Sequence, residues 1–162
     1  MSYLLDADVL ISAKRLYYGF DFCPAFWDWI IEKNKDQRVF SVEKVGDEVL
    51  GSGDELTEWA KERGEGFFLK PDESTFPSFA VLSAWVTGRK YEQSAISTFL
   101  QAADYYLVAQ AHAKRHIVVT REVPSGSTRK IKIPDAAIGV GVKCMTPFEM
   151  LRIERARFIL ER

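Results

Sequence analysis

Two carboxylates interrupt an apolar run close to the start of the sequence, Tyr3-Leu4-Leu5-Asp6-Ala7-Asp8-Val9-Leu10-Ile11. An ionised carboxylate is costly to bury unless it is paired or holds a cation, so packing gives no reason for acids there. The run reads as a strand whose C-terminal tip delivers Asp6 and Asp8, at the edge where open α/β sheets keep their ligands. Four further acids are candidates for the same edge. Asp104 shares an apolar helical stripe with Leu107, Val108 and Ala111. The plainer alternative for Asp104 is an acid satisfied by backbone N–H groups at a helix N-terminus. Glu48 flanks an apolar face between Val45 and Val49, whereas Glu43 and Asp47 read as solvent-side acids. Glu122 falls two residues after the β-branched run Ile117-Val118-Val119-Thr120. Asp135 follows Pro134 at the start of a short helix, where capping is the alternative role. Gathered carboxylates repel one another and need a cation to stay ionised. Oxygen ligands alone suit Mg²⁺ or Mn²⁺ rather than zinc.

Other chemistries find little support. His112 and His116 lie one helical turn apart but lack a third ligand or an H-E-x-x-H pattern, and read as exposed or capping residues. Cys23 and Cys144 have no metal or redox spacing and read as reduced, partly buried thiols. No Ser–His–Asp arrangement or nucleophilic cysteine competes with the acids.

The elements that must place these residues follow from apolar periodicity. At 162 residues, with 47% apolar and 28% charged, the sequence reads as one globular domain over 1–162. A net charge of −1 neither demands nor excludes a nucleic-acid partner, so any basic footprint must be local. Residues 3–5 with 9–11 are expected as a strand and the turn leaving it. Pro24 to Lys35 reads as a helix, Val39-Phe40-Ser41 as a strand, and Val42, Val45 and Val49 as one helix face. Asp54 is expected to cap a helix from Glu55 to about Glu62, and Phe67-Phe68-Leu69 to form a strand. Helix is expected over 74–100 with a break near Gly88, and again from Ala102 to Arg115. Ile117–Thr120, Lys130–Ile133 and Val142–Met145 read as strands, and a terminal helix runs from Thr146 and Pro147 to about Arg157. The alternation predicts a three-layer α/β/α fold around a mainly parallel sheet. No apolar stretch reaches the length of a membrane helix and none reads as a secretory signal, so the expected location is the cytoplasm.

The order of these motifs resembles the PIN-domain nucleases. The opening Asp6-Ala7-Asp8-Val9 resembles their D-x-N/S/D motif, and Val45-Gly46-Asp47-Glu48-Val49-Leu50 their helical Glu motif. Ala103-Asp104-Tyr105-Tyr106-Leu107-Val108-Ala109-Gln110-Ala111 is similar to their central A-D-x-x-L-V/I-A-x-A helix. Ile117-Val118-Val119-Thr120-Arg121-Glu122 resembles their V-V-T-x-D motif, with Glu in place of Asp. Lys130-Ile131-Lys132-Ile133-Pro134-Asp135 resembles a toxin-type subgroup in which Glu is the fourth acid and I-P-D follows. Two departures stand out: Glu122 is a methylene longer than Asp, and Tyr105 stands where many relatives carry Pro.

The resemblance implies metal-dependent cleavage of RNA, with Asp6, Glu48, Asp104 and Glu122 as the catalytic acids. Asp6, Asp104 and Glu122, with Asp135 as a possible contributor, would hold Mg²⁺ or Mn²⁺. Asp8 and Thr120 would support them, Asp8 by orienting Asp6 or a water. RNA approaching an acidic pit needs flanking cations, and Lys14, Arg15, Arg121, Arg129, Lys130 and Lys132 are the expected phosphate contacts, with solvated surface charge as the alternative. The resemblance also implies an antitoxin partner and a homodimer, whose face could use the aromatic helices around Phe26–Ile31 and Phe79–Val86. Trp27, Trp29, Trp59 and Trp85 read as core or interface residues. Two rival readings stay open. One is an inactive RNA- or partner-binding module. The other is a haloacid-dehalogenase-like phosphatase, suggested by Asp6-Ala7-Asp8-Val9-Leu10 and Thr120, although its later paired acidic motif is missing.

Overall fold

Three consecutive apolar residues near the start of the chain become the middle of the sheet. In the computed structural model, which describes residues 1–160, Tyr3, Leu4 and Leu5 form β1 (Tyr3–Leu5) and are fully buried. A parallel strand covered on both faces is apolar throughout, which is why no alternation marks it. Glu161 and Arg162, the last residues of the expected domain, lie outside the described residues. The other strands are β2 (Val39–Val42), β3 (Phe68–Leu69), β4 (Ile117–Val119) and β5 (Cys144–Met145). They form one parallel sheet in the order β3-β2-β1-β4-β5, with Tyr3 in register with both Val39 and Ile117 and Leu5 with Val119. Helices flank the sheet, giving the expected three-layer α/β/α fold.

The strand order has a consequence for function. The chain steps outward from β1 through β2 to β3, then returns to the other side of β1 for β4 and β5. The reversal lies between β1 and β4, and crevices outside strand C-termini at such reversals are where open α/β sheets bind ligands.

The helices are α1 (Ala7–Ser12), α2 (Pro24–Lys35), α3 (Glu43–Leu50), α4 (Glu55–Arg63), α5 (Phe76–Thr87), α6 (Gln93–Gln101), α7 (Ala103–Lys114), α8 (Ile133–Gly139) and α9 (Pro147–Ile153). The observed α2 has the predicted bounds, with Pro24 in its first turn. Asp54 caps α4 as expected, accepting from the Leu56 and Thr57 amides while the Thr57 hydroxyl accepts from the Asp54 amide. The expected helix over 74–100 breaks after Gly88 into α5 and α6.

Five expectations need correction. Val9-Leu10-Ile11 belongs to α1, not to a turn, and a wide π turn over Ala13–Tyr17 follows it. Lys130–Ile133 is not a strand: its alternation comes from Ile131, buried on the loop that enters α8, and Ile133, buried as the first residue of that helix. The last strand is only Cys144–Met145, and α9 ends at Ile153 rather than near Arg157. The aromatic face of α2 is not a free dimer surface, since Phe26, Trp27, Trp29 and Ile30 are all in the core.

Two glycines set the placement of site-bearing helices. A Cβ on Gly46 would stand 2.9 Å from the Phe68 ring, so only glycine lets α3 lie this close to β3. A Cβ on Gly139 would stand 2.1 Å from the Trp85 indole, which fixes the end of α8 against α5. No described helix is long and apolar enough to cross a membrane.

Candidate functional site

Asp6 occupies the single residue between β1 and α1. Its amide still donates to the Val119 carbonyl at 3.0 Å, continuing the sheet, while its φ of −68° and ψ of 153° are those of a helix N-cap. An Asp at that position ordinarily accepts hydrogen bonds from the first helical amides. Asp6 makes no such cap; its buried carboxylate instead accepts from the Thr120 hydroxyl at 3.0 Å. The β1–α1 junction thus turns this side chain toward the end of β4.

Other acids converge on Asp6 from separate elements. Burial, then the charge of Asp104, with smaller contributions from Glu122 and Asp8, pushes its carboxyl up to about 7 against the opposing Thr120 hydrogen bond. Asp104, in the first turn of α7, is pushed up to about 6 by burial and by Glu122 and Glu48, while Lys130 and Lys132 pull it back. Among the described residues its carboxylate receives no hydrogen bond, so it is not the amide-satisfied helix acid of the plainer alternative. The same negative field reaches the half-buried Cys144 thiol. Burial first, and then Glu122 and Asp6, raise it to about 12.

At the C-terminal edge, around the β1–β4 reversal, Asp104 and Glu122 are thus in electrostatic reach of Asp6, and Glu122 and Glu48 in reach of Asp104. Glu48 stands exposed on α3, held there by buried Val45 and Val49. Glu122 also has a structural duty: its carboxylate accepts from the Ile133 amide at 2.8 Å, the first amide of α8, and its own amide donates to Thr120 Oγ1 at 3.1 Å. Thr120 thus links Asp6 to Glu122. Asp135 is not among the groups that chiefly shift Asp6 or Asp104. It accepts from the Ser125 amide at 3.0 Å and pins the loop after β4.

Of the two roles expected for Asp8, orienting Asp6 or a water, the first is not made by a direct hydrogen bond among the described residues. Asp8 accepts from Ser12 Oγ at 3.0 Å and pairs with Arg121 at 3.2 Å. Arg121 also donates to Ser12 Oγ and lies 5.3 Å over the Tyr17 ring. Nothing in the local sequence signals this pairing, because its partners are 113 residues apart.

The expected cations divide accordingly. Lys14 is paired with Asp54 at 3.2 Å, and Arg129 lies 3.7 Å from Glu92. Arg15 is exposed on the π turn. Lys130 and Lys132 are the two whose charge acts on Asp104. The histidines lie elsewhere and are neither merely exposed nor capping. His112 Nδ1 is 2.7 Å from Ser78 Oγ, and His116 Nδ1 is 2.6 Å from Ser2 Oγ. A cavity of about 440 Å³ beside them opens toward the opposite end of the sheet and contains none of the site acids.

The donor set suits a hard divalent cation in type and charge: it is all carboxylate, and ionising Asp6 and Asp104 without an opposing charge is unfavourable. Among the described residues, no three acid, His or Cys side chains are arranged to hold a metal ion as they stand. The Glu122 carboxylate is engaged by the Ile133 amide, and Glu48 is exposed.

No curated protein and no solved structure matches this chain. A family model described as a domain of unknown function, DUF4411, matches residues 3–158, and the chain belongs to that family.

Proposed function

We propose that this protein is a divalent-metal-dependent ribonuclease that cleaves RNA phosphodiester bonds. The observation that carries the reading is Asp6: a buried carboxylate at an N-cap position that does not cap, beside Asp104, Glu122 and Glu48 at the β1–β4 reversal. Charge left unbalanced in this way suits a cation, and the resemblance of the surrounding motifs to PIN-domain nucleases supports the same chemistry. Asp6 and Asp104 would be the residues that hold Mg²⁺ or Mn²⁺. When bound, such a cation would supply charge to offset the phosphate and would lower the pKa of the attacking water. Glu48 would orient the attacking water by accepting its hydrogen bond, and the Thr120 hydroxyl aims Asp6 and favours its ionised form. Glu122 closes the acidic side while steadying α8, and Lys130 and Lys132 receive the flanking phosphates. The resemblance extends the proposal to a cytoplasmic toxin that works as a homodimer and is held by an antitoxin.

The experiment is a Mg²⁺ and Mn²⁺ titration of cleavage on single-stranded RNA, with Asp6→Asn alongside. Cleavage that needs the metal and disappears in Asp6→Asn supports the proposal. RNA binding without cleavage in both metals overturns it in favour of an inactive binding module. The Glu122 to Ile133 hydrogen bond, which already occupies one acid, favours that second reading. Turnover of a phosphomonoester instead would point to the phosphatase.

A further inference from the structure

Beside Asp104 lies a cleft of about 270 Å³ between α6 and the loop that leads into α8. Whole-ligand pockets run from about 300 to 1,000 Å³, so this one suits part of a ligand, a single ring system. Its apolar wall comes from Phe99, Ala102 and Ile131. Ser94 and Thr98, one turn apart on α6, add two hydroxyls from an exposed stretch of helix. Asp104 also lines the cleft, with Arg129 and Lys130 from the loop.

We propose that this cleft receives the base of a nucleotide next to the scissile phosphate and sets the cleavage preference of the enzyme. The inference rests on the ribonuclease reading. It follows from juxtaposition: an apolar slot with two hydroxyls matches a flat heterocycle with hydrogen-bonding edges, and unstacked bases are what proteins read in single-stranded RNA. The charges agree with this placement. A phosphate between the slot and the acids passes Lys130 and Lys132, the two cations that act on Asp104. Ser94 and Thr98 both donate and accept, so they discriminate between base edges rather than merely tolerate them. No acid on α6 opposes the approach, since the helix itself, Gln93 to Gln101, carries none.

Two measurements test this. The four ribonucleoside 5′-monophosphates are titrated into the protein while backbone amide shifts are followed. Shifts are expected at Ser94–Ala102 and Arg129–Ile131, with one base preferred, and binding about tenfold weaker in Thr98→Trp, the scale of a single base contact. Thr98 is exposed, so the indole fills the slot without entering the core; Ser94→Trp, one turn away, serves if that variant fails to fold. Absence of these shifts, or shifts unchanged by both variants, overturns the slot. In the second measurement the cut positions in a mixed RNA are sequenced. Loss of the wild-type base preference in Thr98→Trp supports the slot. The same distribution of cuts in wild type and variant overturns it and leaves the ribonuclease standing. No cleavage in either metal, with mononucleotide binding that Thr98→Trp weakens, overturns the ribonuclease and keeps the slot as a nucleotide site.

Discussion

The two ends of the sheet bury acids in opposite ways. At the N-terminal end, the Glu154 side chain is only 5% exposed, yet Arg38 Nη2 lies 2.7 Å from its carboxylate and the Tyr3 hydroxyl donates to it at 2.7 Å. At the C-terminal end Asp6 is equally buried, but its one side-chain hydrogen bond is from Thr120 and its charged neighbours are other acids. One carboxylate is finished by its own fold and the other is not. Burial alone therefore does not mark a site. An acid that burial and like charges hold near neutrality, in a crevice, does.

The largest contrast is expected in stability. Glu154→Gln leaves Arg38 without its partner and weakens the Tyr3 contact, and should destabilise the protein by about 1–3 kcal/mol, discounted because Arg38 is partly solvated. Asp6→Asn removes a charge the metal-free fold resists, and should stabilise it by about 2–4 kcal/mol at pH 8 while abolishing metal-dependent cleavage. Urea denaturation of both variants without metal checks the opposite signs. Asp6→Asn destabilising the metal-free protein would mean that Asp6 is a structural acid like Glu154.

The pH dependence should separate the two ends next. The carboxyls of Asp6 and Asp104 are raised from 3.8 to about 7 and about 6, so the folded state holds these protons more tightly than the unfolded chain. Their contribution is thus full below pH 4, lost as pH rises through about 6 to 7, and flat above that. The stability difference between wild type and Asp6→Asn should widen over this window without metal and shrink when Mg²⁺ or Mn²⁺ is added at pH 8. A difference independent of pH and metal would break the contrast.

Thr120→Val should have a smaller effect that acts through Asp6. Removing the hydroxyl deletes the hydrogen bond that favours the ionised carboxylate, so the Asp6 carboxyl rises further and metal affinity falls by about 10–100-fold. The expected signature is a loss of affinity that partly recovers at higher pH, measured by calorimetric metal titration at pH 6.5 and 8.5. Thr120→Ser, which keeps the donor, should rescue it.

Much of this arrangement was legible in the sequence because it was local. Pro24 and Asp54 announced helix starts through rules that act over three or four residues, and the tip position of Asp6 followed from the apolar run before it. The misreadings arose where a local pattern had two physical causes. Val9-Leu10-Ile11 is apolar because a short helix packs into the core directly after Asp6, and an apolar stretch this short does not distinguish a helical turn from the turn leaving a strand. Ile131 and Ile133 alternate with lysines because the loop entering α8 turns Ile131 inward and the first residue of the helix, Ile133, is buried just before Pro134. What sequence could not supply was long-range: the strand order that puts the reversal between β1 and β4, the diversion of Asp8 to Arg121, and the choice between Glu122 and Asp135.

That last choice gives the smallest expected effect. Both acids follow β4 and both touch the loop region, but Glu122 acts on Asp6 and Asp104 whereas Asp135 accepts the Ser125 amide. Asp135→Asn keeps an acceptor oxygen for that amide, and should change stability by less than about 1 kcal/mol and metal affinity hardly at all. Glu122→Gln also keeps an acceptor for the Ile133 amide, so α8 should hold. Its lost charge, however, should lower the carboxyls of both Asp6 and Asp104 toward the ordinary range and weaken metal binding. Calorimetric metal titration of the two variants decides between them. Metal affinity that falls in Asp135→Asn and not in Glu122→Gln would move the fourth acid from the end of β4 to the first turn of α8.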